Sequence, residues 1–457
     1  MTATNRRFRA GGAILAAGLG ATNQGEGMPI VHRRAWLAAG VVWVCVSAAQ
    51  AIAAAAVAGG TKSGSGPALP PASTAARRGA PAQGSGGLAA LRAAAARGEV
   101  NAQEQLGWDY LHGVQVRPDD SRAAYWLRRA AAHGIAAAEC DLGYLYQTGR
   151  GVPLDYRRAV HWYGKAAAQG LARSQYDLGL MYAHGEGVPR DYAKAVTLFR
   201  SSAAQNVTDA EDALGVLYAN GMGVPRSDST AVSWYRQAAR QGNATAEKDL
   251  GSMYLQGRGV AQDPATADLW FRRAAQQGNT LAQATLGLMY LYGRGVERDP
   301  GRALKWLRRS AEGGDRHATT MVADLYYGRG ELKQAIGWYR KAAEQGSGEG
   351  AFFLGMAYWR GQGVPQSPSR AVHWYRKSAM RGNAKGQLAL GLAYGLGRGV
   401  SPDPTLAYAW ISLAGKAPLM PLQAARILQR VAAHLSAAQI ARGRRLAARW
   451  TVGEDIR

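Results

Sequence analysis

Histidine, cysteine and carboxylate side chains are the first places to look for covalent chemistry, and this chain places them at no working spacing. Eight histidines are scattered through 457 residues. No His-Glu-x-x-His is present to hold zinc, no Gly-x-Ser-x-Gly to expose a nucleophile, and no Ser-x-x-Lys. A glycosidase needs two carboxylates across a cleft. Acidic residues number only 31, and most that recur have a capping role set out below. Two cysteines, Cys45 and Cys140, are too few for a disulfide framework. No catalytic residue, cofactor or metal is therefore expected. Binding is the chemistry that remains, and its best residues are aromatic: Trp108, Tyr144, Tyr176, Tyr327, Phe352 and Trp359.

These six residues stand at equivalent places in a repeat. Nine copies of one motif begin at Glu99, Ile135, Leu171, Val207, Asn243, Asn279, Asp315, Ser347 and Asn383. Eight are 36 residues long and the seventh is 32. A period of this size marks a solenoid, whose units each touch mainly their neighbours. Every unit reads as helix, glycine-containing loop, helix. The first helix carries Ala at position four, Leu-Gly at eight and nine, and Tyr at twelve, as in Ala138, Leu142, Gly143 and Tyr146. Spacings of three and four put these on one face. Glycine inside a helix costs roughly 1 kcal/mol against alanine, so its recurrence predicts a close helix approach.

The loop runs Gly-x-Gly-Val, as in Gly149-Arg150-Gly151-Val152. Asp or Ser follows as the N-cap of the second helix, as at Asp119, Asp155, Ser227 and Asp263. Pro264, Pro300, Pro368 and Pro404 come next, at the first helical position. Position 28 is Trp in every unit except the third, which has Leu198, and its ring is expected to be the buried one. Most units close on Gly, with Asn206 as a substitute, which predicts a left-handed stop.

The pattern Ala…Leu-Gly…Tyr…Gly-x-Gly-Val…Asp…Ala…Trp-Tyr…Ala…Gly resembles the Sel-1-like repeat family, relatives of the tetratricopeptide repeats. It covers about 70 % of the chain. The resemblance implies an all-α, right-handed superhelical solenoid of nine helix-loop-helix repeats with a C-terminal capping helix. The seventh unit departs, with Val322-Ala323 for Leu-Gly and a loop cut to Gly328-Arg329-Gly330, closer to a plain tetratricopeptide unit. Residues 407–413 resemble the closing repeat of bacterial members, and Ser436 with Gln439 reads as a capping box opening a last helix. Disulfide-rich members linked to β-lactam hydrolysis carry paired cysteines that this chain lacks.

If the first helices line a concave face, as the resemblance implies, positions six, ten and thirteen form one stripe into the groove. Position ten reads Trp108, Tyr144, Leu180, Val216, Ser252, Leu288, Asp324, Met356 and Leu392. This variation beside constant neighbours is what a tailored binding surface gives. Packing between adjacent units is the competing explanation. The expected partner is a protein or peptide.

The formal charge is +24. Much of it is arginine on the second helices, such as Arg128-Arg129 and Arg308-Arg309, which reads either as a solvated face or as attraction to an anionic envelope surface. Ahead of the repeats, residues 60–87 read as a flexible linker rich in Gly, Ser, Ala and Pro. Before that, His32-Arg33-Arg34 precedes an uncharged run from Ala35 to Gly59, the layout of an export signal. The in-frame Met28 would start such a signal normally and leave residues 1–27 untranslated. The run is also long enough to remain as an inner-membrane anchor, although its alanine content favours cleavage. Residues 88–418 are then the solenoid and 419–457 capping helices. The functional expectation is a non-catalytic, periplasmic scaffold or adaptor that binds a protein or peptide. The alternative is an envelope-polymer protein associated with peptidoglycan or polysaccharide. No nucleic acid partner is expected for an exported chain. A fusion of residues 28–60 to a reporter active only outside the cytoplasm should be active; an inactive fusion, with full-length protein in the cytoplasmic fraction, contradicts the export reading.

Overall fold

The computed structural model describes residues 85–417 and 421–456. The export segment expected over residues 1–59, and nearly all of the linker, lie outside the described residues. Every regular element among those described is an α-helix. They fall into two compact units, residues 85–277 and 278–456.

The first unit opens with α1 (Ser85–Ala96). Five repeats follow: α2 (Val100–His112) with α3 (Asp120–Ala132), α4 (Ala136–Thr148) with α5 (Tyr156–Ala168), and α6 (Ala172–His184) with α7 (Tyr192–Ala203). Then come α8 (Thr208–Asn220) with α9 (Asp228–Arg240), and α10 (Ala244–Gln256) with α11 (Pro264–Gln276). The second unit holds α12 (Thr280–Tyr292) with α13 (Pro300–Glu312), and α14 (Arg316–Gly328) with α15 (Leu332–Glu344). It continues with α16 (Gly348–Arg360) and α17 (Pro368–Met380), then α18 (Ala384–Leu396) and α19 (Pro404–Ala414). It ends with α20 (Pro421–Ala432) and α21 (Ala437–Arg449). These nine pairs match the nine repeats, and the capping box Ser436–Gln439 opens α21 as expected.

The expected caps are formed. Asp119, Asp155 and Asp263 accept backbone amides at the start of α3, α5 and α11. Asn206 takes a positive φ of 61°, the left-handed stop supplied elsewhere by glycine. In the loops, a Cβ on Gly151 would lie 2.1 Å from the Asp120 carbonyl oxygen, so the second loop glycine seats each loop on the preceding repeat.

The helix seam differs from the expectation in one respect. The fully buried ring of the second helix stands at position 29, not 28. Tyr163, Phe199 and Phe271 are 1 % exposed, whereas Trp162, Trp234 and Trp270 are only half-buried. Trp410, beneath the C-terminal cap, is the buried exception. Position 29 meets the recurrent glycine of the first helix. A Cβ on Gly179 would come 2.6 Å from the Phe199 ring, and one on Gly215 2.5 Å from Tyr235. The close approach predicted from glycine is thus real, and its partner is the neighbour of the tryptophan. Most of the half-buried Trp instead lie under a cation one turn on: Lys165 Nζ is 4.9 Å from the Trp162 centroid, Arg273 5.0 Å from Trp270 and Lys377 4.6 Å from Trp374.

Helix α1 was not expected. It supplies a second helix ahead of the first complete repeat: Leu88 and Leu91 pack on the core, Ala95 is buried, and Arg92 reaches the Tyr110 hydroxyl. The seventh repeat has Ala323 in place of the seam glycine, and α14 ends at Arg329 without the left-handed glycine. In each unit one pair of neighbouring first helices touches, α2 with α4 and α16 with α18, while neighbouring second helices make at most grazing contact. At these places the first helices, termed inner helices, form the inner side of the unit.

Phe271→Ala should cost about 3–5 kcal/mol of stability in denaturant titration, and Trp270→Ala less than half of that. Equal costs would place both rings in the core and contradict the assigned seam.

Candidate functional site

The stripe at positions six, ten and thirteen lies on the inner helices, and its residues differ in depth. Trp108, on α2, is half-buried with its ring 4.5 Å from that of His112. Tyr144, on α4, is half-buried, and its hydroxyl accepts from Arg150 at 3.3 Å. Arg150 is itself fixed by Asp120 of the preceding repeat through bonds of 2.9 and 2.8 Å. Tyr176, on α6, packs 5.7 Å from the Phe199 ring. These three stand on successive inner helices of the first unit without forming one cluster.

In the second unit the stripe does form a patch. Phe352 and Trp359 sit seven residues apart on α16, at 6.0 and 6.1 Å from the Tyr375 ring. Phe352 is 9 % exposed and belongs mainly to the core, also touching Phe353 at 5.3 Å. Trp359 is half-buried, with the Arg398 guanidinium 4.7 Å over its ring. Tyr327, on α14, is half-buried against the same core, and its hydroxyl donates to Gln362 Oε1 at 3.5 Å. Half-exposed Met356 completes the patch. Six residues read from sequence thus comprise five half-buried rings and one near-core ring.

A second feature of the inner helices escaped the sequence reading. Asp141, Asp177, Asp209, Asp212 and Asp249 all stand on α4, α6, α8 and α10, and none is a helix cap. Arg173 and Lys248 are the cations among them. Arg173 donates to Asp177 at 2.7 Å, Lys248 pairs with Asp249 at 2.5 Å, and Asn243 donates to Asp209 at 2.8 Å. Burial, with Asp249 and Asp209 beside it, pushes the Asp212 carboxyl well above its ordinary range against the pull of Lys248. Burial also raises Asp177 and Asp209. The Cys140 thiol is pushed up by burial and by Asp177 and Asp141, so it is held as an unreactive thiol. The sequence signal was available: these acids fall at positions three, six and seven, away from the capping position 21. Among the described residues no cluster of His, Cys, Asp or Glu is arranged to hold a metal ion.

The model of the Sel1 repeat matches nine consecutive segments: 100–135, 136–171, 172–207, 208–243, 244–279, 280–315, 317–347, 348–383 and 384–418. The chain belongs to the Sel1 repeat family. Among solved structures, it is similar to c5321, a protective antigen of uropathogenic Escherichia coli strains displaying the SLR fold. Identity is 31 %, covering 79 % of this chain and 86 % of that one, with a TM-score of 0.45. It is also similar to a Sel1 repeat protein from Oxalobacter formigenes at 32 % identity, covering 75 % and 90 %, with a TM-score of 0.45. No protein of curated function matches the chain. The Sel1 assignment covers both units.

The buried carboxyls give the Sel1 array a pH signature. Asp177, Asp209 and Asp212 keep protons to higher pH folded than unfolded. Above about pH 4, the ordinary carboxylate value, the folded chain binds more protons, so stability falls as pH rises. Asp212→Asn should therefore melt higher than wild type at pH 7, with the gap closing towards pH 4. A variant that melts lower at pH 7 would mean that the ionised carboxylate stabilises the fold.

Proposed function

We propose that this Sel1 repeat chain is a non-catalytic scaffold that holds a protein or peptide partner along its inner helices. One observation carries the reading. The seam residues repeat in nearly every unit because packing requires them, while the inner stripe changes from unit to unit. Packing alone does not specify Trp at 108, Tyr at 144, Ser at 252 and Met at 356. Aromatic side chains with one face open supply contact area at low entropic cost.

The stripe offers two kinds of contact. Residues 85–277 present Trp108, Tyr144 and Tyr176 beside carboxylates. Residues 278–456 present the apolar patch of Tyr327, Met356 and Trp359, with Phe352 as its floor. The uncharged run from Ala35 to Gly59 supports placing this scaffold beyond the inner membrane. A photo-crosslinking residue at position 144 or 359 should capture one discrete partner in cells, and one at position 305, on the exposed face of α13, should not. Tyr144→Ser with Trp359→Ser should leave helicity unchanged while that crosslink is lost. Capture from position 305 alone would move the partner to the outer helices and overturn the proposal.

A further inference from the structure

Many basic residues of the repeats have structural partners. Arg122, Arg158 and Arg302 pair with the capping Asp119, Asp155 and Asp299 at 3.2–3.3 Å. Arg128, Arg236 and Arg376 donate to the hydroxyls of Tyr146, Tyr254 and Tyr394 in the following repeat at 3.2, 3.1 and 2.7 Å. Another set stacks on the half-buried tryptophans. The arginine of the second helices, read from sequence as a free charged face, is therefore largely taken up by the fold.

The C-terminal cap concentrates arginines that lack such partners. From Pro404 to Gly453, 50 residues contain no Asp or Glu and seven Lys or Arg. Arg444 bonds the Tyr408 hydroxyl at 3.2 Å. The remaining arginines of the two helices, Arg426, Arg430, Arg442, Arg445 and Arg449, are exposed and have no ion pair among the described residues. The two acids that follow are engaged elsewhere: Asp455 pairs with Arg376 at 3.5 Å, and the Glu454 carboxylate accepts from the Thr451 amide at 3.4 Å.

Their spacing gathers them. Arg442, Arg445 and Arg449 are three and four residues apart on α21 and share one face. The opposite face is seated on α19 through Gly443, where a Cβ would lie 2.8 Å from the Tyr408 ring, and through buried Ala447. Arg426 and Arg430 are four apart on α20, opposite buried Ala424, Ile427 and Val431. Their exposed neighbours include Ala425, Ala433, Ala438, Ala441 and Ala448, so the guanidinium groups stand furthest out. Each of the two helices thus presents an arginine face among exposed alanines, with no exposed Phe, Tyr or Trp.

We propose that this cap docks on an anionic lipid bilayer. Charge complementarity calls for a polyanion. An alanine floor without rings suits a surface of headgroups better than unstacked bases. The uncharged run from Ala35 to Gly59 also brings the chain to a membrane, whether during export or as an anchor. The attraction is electrostatic, adds per arginine, and fades with salt.

Flotation of the full-length chain with vesicles of phosphatidylcholine alone, and with equal parts phosphatidylglycerol, tests this. The phosphatidylglycerol-dependent fraction should be large at low salt and vanish at high salt. Arg442→Gln, Arg445→Gln and Arg449→Gln together should weaken it roughly a hundredfold, and the three Lys replacements should retain it. A control of equal charge, Arg240→Gln, Lys305→Gln and Lys333→Gln, should change it only slightly. If the first triple variant melts early, Arg426→Gln with Arg430→Gln serves in its place. Undiminished binding by a folded cap variant, an equal loss in the control, or cap-dependent binding of duplex DNA in place of vesicles overturns the proposal.

Discussion

A missing methyl group holds this architecture together. At position nine of the first helix, glycine lets the ring or branched side chain at position 29 of the second lie against backbone, as Tyr375 does at Gly355 and Ile411 at Gly391. The glycine costs helix propensity, and the contact returns more through burial of a large side chain. Because the seam faces inside each helix pair, it leaves position 28 at the rim and positions six, ten and thirteen on the inner face. The rest of the molecule follows from that division. Most of the rim tryptophans are neither core nor free surface but platforms for a cation one turn on.

Charge is distributed unevenly over the two units. Residues 85–277 hold 21 Lys and Arg against 19 Asp and Glu, a net +2. Residues 278–457 hold 26 against 11, a net +15. In the first unit the acids gather on inner helices around Arg173 and Lys248, where burial keeps several carboxyls protonated beyond their usual range. In the second, the repeats to residue 418 carry a net +10 and the short cap, residues 419–457, a further +5. Net charge over the whole chain hides both facts, since one unit is nearly balanced and the other supplies most of the surplus.

The repeat made most of the fold legible in sequence. Period, capping Asp, helix-start proline and the αL Asn206 each report a local backbone requirement, and local requirements survive in a single sequence. The buried ring was misplaced by one residue because Trp and its neighbour Tyr, Phe or Leu are both large and adjacent, and a helical pattern shifted by 100° still looks amphipathic. Only the glycine contact decides between them. Helix α1 was hidden by its composition, although Leu88, Leu91, Arg92 and Ala95 keep the spacing of a second helix. The environment of the inner carboxylates was not legible because what defines it, burial and the approach of Asp249 to Asp212 in the preceding repeat, is non-local. The aromatic residues of the stripe stand on the first helices of their repeats, as expected. Their depth was not legible, since Phe352 sinks against Tyr375 while Trp359, two turns along, stays half open.

The account stands or falls on the seam, and two alanine substitutions probe it with opposite signs. Gly215 sits at position nine with the Tyr235 ring where a Cβ would go, whereas Gly164 lies in helix α5 with nothing within 4 Å of an added Cβ. Equilibrium unfolding of both variants should show Gly164→Ala stabilised by up to about 1 kcal/mol, the helix propensity gain, and Gly215→Ala destabilised despite the same gain. Stabilisation of both by a similar amount would mean that the helices do not meet at the glycine, and the division of each repeat into seam, rim and inner face would be wrong.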